Sequence, residues 1–288
     1  MRPIYLITIL TVMCYIHACQ APDKGRAIFD KSNLVAWCIV PFDAADRSAE
    51  ERAAMLKELG IKKMAYDYRD RHIPFFAHEL EVMKEAGIEV SAVWLWVDMR
   101  EGKVIGEASR KILDIMKESG LRTEIWLGFS EDLFMHDDDQ ANIEEAAGYI
   151  EVALQEAEAI GCSLALYNHG GWFGEPENLV KIVERLDSGK VKIVYNFHHG
   201  HGQIDRFPEL LEIMMPHLST INLNGMIPGG PKIVDIGKGS AEQDMMQAML
   251  DAGYQGPVGI LGHTEGEDIK NVLERNLEGL ESLRLILK

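Results

Sequence analysis

A single (β/α)8 barrel is the fold class this chain predicts, and three observations predict it. Short apolar runs alternate with amphipathic helical stretches along almost the whole sequence. The helical stretches repeatedly end in glycine just before the next apolar run. The apolar runs are continuous, as expected when helices cover both faces of a parallel sheet. Alternation with short connections requires right-handed parallel crossovers, and eight such units close into a barrel more readily than they form an open sheet.

The elements follow in order. Leu34–Val40 reads as the first strand. Ser48-Ala49-Glu50-Glu51 then reads as a capping box, in which the Ser hydroxyl and the Glu carboxylate satisfy orphan amides. That helix carries Ala53, Leu56 and Leu59 on one face and stops at Gly60, which permits the left-handed closing conformation. Lys63–Tyr68, Phe75–Ala86, Val90–Trp96 and Ile105–Ser119 supply the next two units, with glycines at 87 and 120. Thr123–Phe129, Ala141–Ile160, Ser163–Tyr167 and Asn178–Asp187 continue the alternation. Val191–Phe197, Pro208–His217, Thr220–Leu223, Ala241–Ala252, Val258–Leu261 and Glu267–Leu287 complete it. Gly225–Ser240 is the longest irregular stretch and is expected to fold over the mouth as a lid. No second domain is visible, so residues 33–288 are expected to form the barrel and residues 20–32 a short linker.

The first 19 residues read as a leader. Arg2 supplies a positive start, and Ile4–Ile16 is an apolar run shorter than the ~18 residues of a membrane span. It ends at Ile16-His17-Ala18-Cys19, which resembles a bacterial lipobox despite His17. Export is therefore expected, with Cys19 lipidated and the protein periplasmic or membrane-anchored. An ordinary secretory signal cut near Ala18 or Ala21 is the alternative. Cys38 and Cys162 sit in apolar runs and read as small buried hydrophobes.

The formal net charge is −17. Nucleic-acid binding needs a basic face to neutralise phosphates, so the balance argues against such a partner. No basic or glycine-rich phosphate cradle stands out either, which favours an unphosphorylated small-molecule substrate.

Three loops hold most of the candidate chemistry. Tyr167-Asn168-His169-Gly170-Gly171-Trp172, Asn196-Phe197-His198-His199-Gly200-His201 and Ile260-Leu261-Gly262-His263 each follow a strand. In a parallel barrel the C-terminal strand ends share one face, where chemistry is done. Parity puts Tyr167 with His169, Asn222 with Asn224, and Trp94 with Trp96. The five tryptophans Trp37, Trp94, Trp96, Trp126 and Trp172 suggest flat walls for sugar C–H faces, with amides and imidazoles reading hydroxyls. Asp67 is the last acidic group on its strand before the charged run Arg69–His72 and is a candidate substrate contact. Asp137–Asp139 fit no hard-metal spacing and read as a solvated loop.

The chain resembles the xylose-isomerase-like barrels, which include sugar isomerases, keto-sugar epimerases and endonuclease-IV-type enzymes. Leu164–Gly171 resembles the fifth-strand motif Glu-Asn-His-Gly-Gly with its Glu changed. Asn196-Phe197-His198-His199 resembles the sixth-strand Asp-x-x-His, and Gly259–His263 resembles the eighth-strand Glu-His ending. The resemblance implies proton transfer beside a sugar carbonyl, through an enediol, commonly on a divalent metal. The family's ligands Glu, Asp, His and Glu correspond here to Tyr167, Asn196, Asn222 and Gly262. A hard cation prefers charged oxygen ligands, so the family's metal site is expected to be lost. His169, His199 and His263 persist. They suit metal-free acid–base work, a zinc-like ion on three imidazoles, or a binding pocket without chemistry.

The expectation is a sugar or keto-sugar isomerase or epimerase, with a lyase on oxidised glycosides as a close variant. A non-catalytic carbohydrate-binding lipoprotein is the alternative. His169 and His199 form the expected proton-transfer pair. Asn196, Asn222 and Asn224 are expected on hydroxyls, Trp37 and Trp94 as walls, and Asp67, Tyr167 and His263 as further substrate contacts.

Overall fold

Eight parallel strands hydrogen-bond in chain order and close on themselves, β1 through β8, with β8 returning to β1. The structure is a computed structural model that describes residues 26–288. The expected leader and lipobox Cys19 lie outside the described residues. The strands are β1 Leu34–Trp37, β2 Lys63–Tyr66, β3 Glu89–Val97, β4 Glu124–Phe129, β5 Ser163–Tyr167, β6 Val191–Asn196, β7 Leu218–Leu223 and β8 Val258–Leu261. The helices are α1 Ala49–Leu59, α2 Phe76–Ala86, α3 Glu107–Ser119, α4 Asp139–Ala159, α5 Pro176–Leu186, α6 Phe207–Met214, α7 Glu242–Asp251 and α8 Ile269–Arg284.

Local chemistry sets these boundaries. The capping box at Ser48 forms in both directions: Ser48 Oγ accepts from the Glu51 amide at 3.2 Å, and the Glu51 carboxylate accepts from the Ser48 amide at 2.9 Å. Asp138 caps α4 by accepting from the Gln140 amide, so the aspartate run supplies a helix start. β1 stops earlier than expected because Cys38 turns into the left-handed region at φ 59°.

The described part of the expected linker packs on the barrel. Residues 26–33 form two short 3-10 turns, with Ile28 and Phe29 buried. The Asn33 amide donates to the carbonyls of Ile28 and Gly256 and ties this segment to the barrel. Burying two apolar side chains outweighs the freedom a linker would keep.

Inside the barrel, Val35, Trp37, Ala65, Ala92, Trp126, Ala165, Tyr167, Val194 and Leu261 pack as one cluster. Small residues on the strands leave room for the indoles. Trp37 and Trp126 meet edge to face at 4.9 Å. Trp126 also donates to Glu124 Oε1 at 2.8 Å. It is therefore filler beneath the mouth and not a wall of the pocket. Between this cluster and the helices lies the larger apolar core.

Candidate active site

A cavity opens at the C-terminal strand ends. It is lined by Trp37, Cys38, Phe42, Asp67, Arg69, Trp94, Tyr167, His169, His198, His199 and His263. Seven of the ten expected site residues meet here; Asn196, Asn222 and Asn224 do not line it. The cavity is about 70 Å3, well below the ~300–1,000 Å3 of ordinary ligand sites. Larger hollows lie between helices and at the barrel floor, away from the imidazoles.

One wall belongs to β5 and β6. The rings of His169 and His199 lie 4.6 Å apart, and those of His198 and His199 lie 4.2 Å apart. Trp96 meets His169 edge to face at 4.7 Å. Burial pushes all of these imidazoles below their ordinary pKa, His198 to about 4 and His199 well below, and neighbouring imidazoles and Lys232 push the same way. They are neutral bases at physiological pH. Gly170 lets the loop after β5 pass close to β4, because a Cβ there would sit 2.7 Å from Glu131 Oε1, and its φ is 112°.

The opposite wall belongs to β1 and β2. Asp67 is 2% exposed. Burial raises its pKa to about 7, against the lowering pull of Arg69, Arg52 and backbone hydrogen bonds at Asp67 and Val40. The Cys38 thiol packs against this carboxyl and is itself pushed up, first by burial and then by Asp67. Arg69 lies over the Phe42 ring at 5.2 Å, and Phe42 meets His263 at 3.7 Å with the rings tilted by 35°, forming the lip of the cavity.

The three expected hydroxyl-binding asparagines divide. Asn196 donates to the Tyr167 hydroxyl and accepts from the His198 amide at 3.1 Å, so both ends of its side chain are used internally. Asn224 donates to the carbonyls of Gly225 and Lys232 and accepts from the Val234 amide, so it ties down the following loop. Asn222 is buried with neither amide atom partnered. Asn168, whose role the sequence does not signal, bonds both ways to the Asn196 backbone and extends the β5–β6 ladder.

The stretch Gly225–Ser240 is a fixed wall and not a free lid. Glu242 accepts from the amides of Met226, Gly237 and Gly239, and Asn276 accepts from Ile236. The Lys232 carbonyl meets His201 Nε2 at 3.0 Å. Trp172 also leaves the site, since its indole donates to Asp139 on the outer flank. His198, Phe42, Arg69 and Cys38 are lining residues that sequence reasoning misses as contacts. Only the repeated imidazoles of residues 198–201 signal any of them.

The position expected to carry the last metal ligand also shifts. A side chain at Gly262 would face Cys38 O, Ile39 and Ile269, away from the cavity. Leu261 is the inward residue at the end of β8. With Leu261 in place of Gly262, the inward residues Tyr167, Asn196, Asn222 and Leu261 still include no carboxylate. Tyr167 receives hydrogen bonds from Trp37 Nε1 and Asn196 Nδ2, and burial holds its hydroxyl protonated. This donor set does not fit a hard divalent cation. Nor, among the described residues, do any three His, Cys, Asp or Glu side chains converge as a metal site. The zinc-like site on His169, His199 and His263 thus has no supporting geometry: His263 packs on Phe42 and nearest His198.

The model of the xylose isomerase-like TIM barrel family matches residues 24–284. The chain belongs to this family. Solved structures share the barrel at low identity. The 3-keto-D-glucoside 4-epimerase YcjR from E. coli superposes with a TM-score of 0.65 at 17% identity, covering 88% of this chain and 99% of that one. The D-psicose 3-epimerase of Clostridium cellulolyticum H10, solved with D-tagatose, gives 0.60 at 15%, covering 89% and 99%. A xylose isomerase-like barrel protein from Mycobacterium smegmatis, in complex with magnesium, gives 0.58 at 14%, covering 89% and 98%. No curated protein matches the chain.

Proposed function

We propose that this family member moves a proton beside the carbonyl of an unphosphorylated sugar or keto-sugar, as an isomerase or epimerase, with imidazoles as its bases. The observation that carries this reading is the grouping of unsatisfied polar atoms. Asp67 Oδ1, Trp94 Nε1 and His169 Nδ1 are buried without partners, and all three residues line the cavity. A folded protein satisfies nearly all such atoms, so a group of them marks where a polar ligand belongs. The indoles offer apolar faces beside them.

His169 and His199 would take and return the proton from the β5–β6 wall. The small cavity supports entry by movement of the Phe42–Arg69 lip. In that lip Arg69 lies over Phe42 and donates to the Tyr68 carbonyl at 2.8 Å, while Phe42 itself is held through ring contacts. The loss of all family carboxylates also favours a second reading, a pocket that binds sugar without chemistry.

The test is solvent deuterium incorporation in D2O with EDTA, using D-fructose, D-tagatose and a methyl 3-keto-D-glucoside, the chemistries named for the neighbours. Exchange at the carbon beside the carbonyl is the expected result. Calorimetric binding without exchange leaves the binding-protein reading. Export with lipidation at Cys19 is a separate proposal resting on the leader residues, and the mass of the mature N-terminus decides it.

A further inference from the structure

We propose that Asp67 is a second proton-transferring group, acting on the substrate from the side opposite the histidines, so that the site inverts a carbon. This rests on the proton-transfer reading above and adds to it a residue and a stereochemical outcome.

The barrel order fixes the geometry. Eight strands closed in sequence put β2 and β6 four strands apart in either direction, across the mouth from each other. Asp67 follows β2, His199 follows β6, and both line the same cavity. The rings of His169 and His199 are in contact on neighbouring strands, so no carbon fits between them. They reach a substrate from one side only. A base on one face of a carbon inverts it only with an acid on the other. Among the described residues, Asp67 is the only carboxyl group lining the cavity.

Other buried carboxylates of this chain are used up by their surroundings. Asp43 accepts from Arg47, Ala45 and Ile269. Glu79 pairs with Arg52 at 2.9 Å, and Glu242 holds three loop amides. Asp67 alone among the described carboxylates has a buried oxygen, Oδ1, with no partner. The backbone beside it is also unusual. Cys38 adopts φ 59°, an uncommon conformation for a residue with a side chain, and its thiol packs on the Asp67 carboxyl. Strain held at this point is explained if the carboxyl must be positioned. The ionisable groups facing Asp67 are Cys38 from the end of β1, Arg52 from α1, Tyr66 and Arg69 from its own segment, and Tyr167 from β5. Burial outweighs the two arginines and keeps the carboxyl partly protonated near neutral pH.

The step balances without an added reagent. An imidazole on the β5–β6 wall takes the proton beside the carbonyl, and the C–H electron pair moves towards the carbonyl oxygen to give an enediolate. That electron pair returns to form a new C–H bond on the opposite face with the Asp67 proton. Asp67 is left as carboxylate and the imidazole as imidazolium, and exchange with solvent resets both. Nothing is oxidised or reduced.

Full-length protein is assayed in D2O with EDTA on D-fructose, D-tagatose and methyl 3-keto-D-glucoside. Exchange and epimer formation are followed separately by NMR. Wild type should exchange and invert. Asp67→Asn should lower the ratio of inversion to exchange by ~10²-fold or more, because the histidines still remove the proton from their own face. Asp67→Ser gives the same readout should the amide variant not fold, and unfolding midpoints are measured for each. Inversion at the wild-type rate in these variants overturns the proposal. Loss of exchange and inversion together in a folded variant also overturns it, because Asp67 would then act before proton removal. Exchange without inversion in wild type removes the role of Asp67 and keeps the proton chemistry. Absence of exchange in wild type on every probe removes both.

Discussion

The two walls of the mouth share one environment and respond to it in opposite senses. On β5 and β6, burial disfavours the imidazolium, so His169, His198 and His199 stay neutral. On β2, the same burial disfavours the carboxylate, so Asp67 holds its proton to about pH 7. Desolvation always penalises the charged form. One dry pocket therefore makes a base of one wall and an acid of the other. The lesson is that burial alone shifts a carboxyl and an imidazole in opposite senses.

The largest expected effect breaks the basic wall. His199→Ala or His169→Ala should lower kcat by ~10²–10⁴-fold while the unfolding midpoint changes little. Near-normal turnover in both variants would leave the pocket as a binding site.

The second effect isolates the acidic wall through stability. Folded Asp67 keeps its proton to about pH 7, whereas the unfolded chain gives it up near ~3.9. Folding therefore takes up a proton between these values. The stability this confers is full below the unfolded pKa and is lost as pH rises through the folded one. Asp67→Asn should gain stability over wild type as pH rises from 4 to 8. The gain should be a few kcal/mol at most, since a tenfold difference in proton affinity is worth ~1.4 kcal/mol. Urea unfolding of both proteins across that range checks it, and a constant difference would count against the buried acid. The histidines carry the opposite sign. Their folded pKa values are depressed, so their contribution is present above ~6.5 and is lost as pH falls.

A smaller effect concerns the strap beside the basic wall. Glu242→Gln removes a charged acceptor from three loop amides and should cost ~1–3 kcal/mol, with faster amide exchange confined to residues 225–240. The pH–rate profile sharpens the comparison further. Its acid limb should lie below the ordinary imidazole value and its basic limb near about 7, where Asp67 ionises. A plateau extending beyond pH 8 would argue against a protonated Asp67. The smallest effect should come from chelation. EDTA should leave activity within about twofold and Mn²⁺ should add nothing, given the donor set described above.

Much of this is legible in the sequence. The glycine-terminated helices and continuous apolar runs point to the barrel, because periodicity and helix-ending chemistry are local properties. Strand parity brings Trp37, Asp67, Trp94, Tyr167 and His169 to one cavity. What parity cannot give is which polar ends are already spent. Asn196 and Asn224 share the inward face but are consumed by Tyr167 and by the 225–240 loop, contacts settled only by the folded chain. The positive φ of Cys38 has no local signal, since glycine usually marks such a turn. At the end of β8 it is Leu261 and not Gly262 that faces inward, and that single residue moves a side chain from one barrel face to the other.

The hydrogen-bonded centre formed by Trp37, Tyr167 and Asn196 makes three side chains depend on one oxygen. The Tyr167 hydroxyl accepts from Trp37 Nε1 at 3.2 Å and from Asn196 Nδ2. Tyr167→Phe would leave both donors buried without an acceptor, at a cost of ~1–3 kcal/mol for each. A change at any one of the three is felt by the other two, so the polar floor of the mouth responds to substitution as one unit.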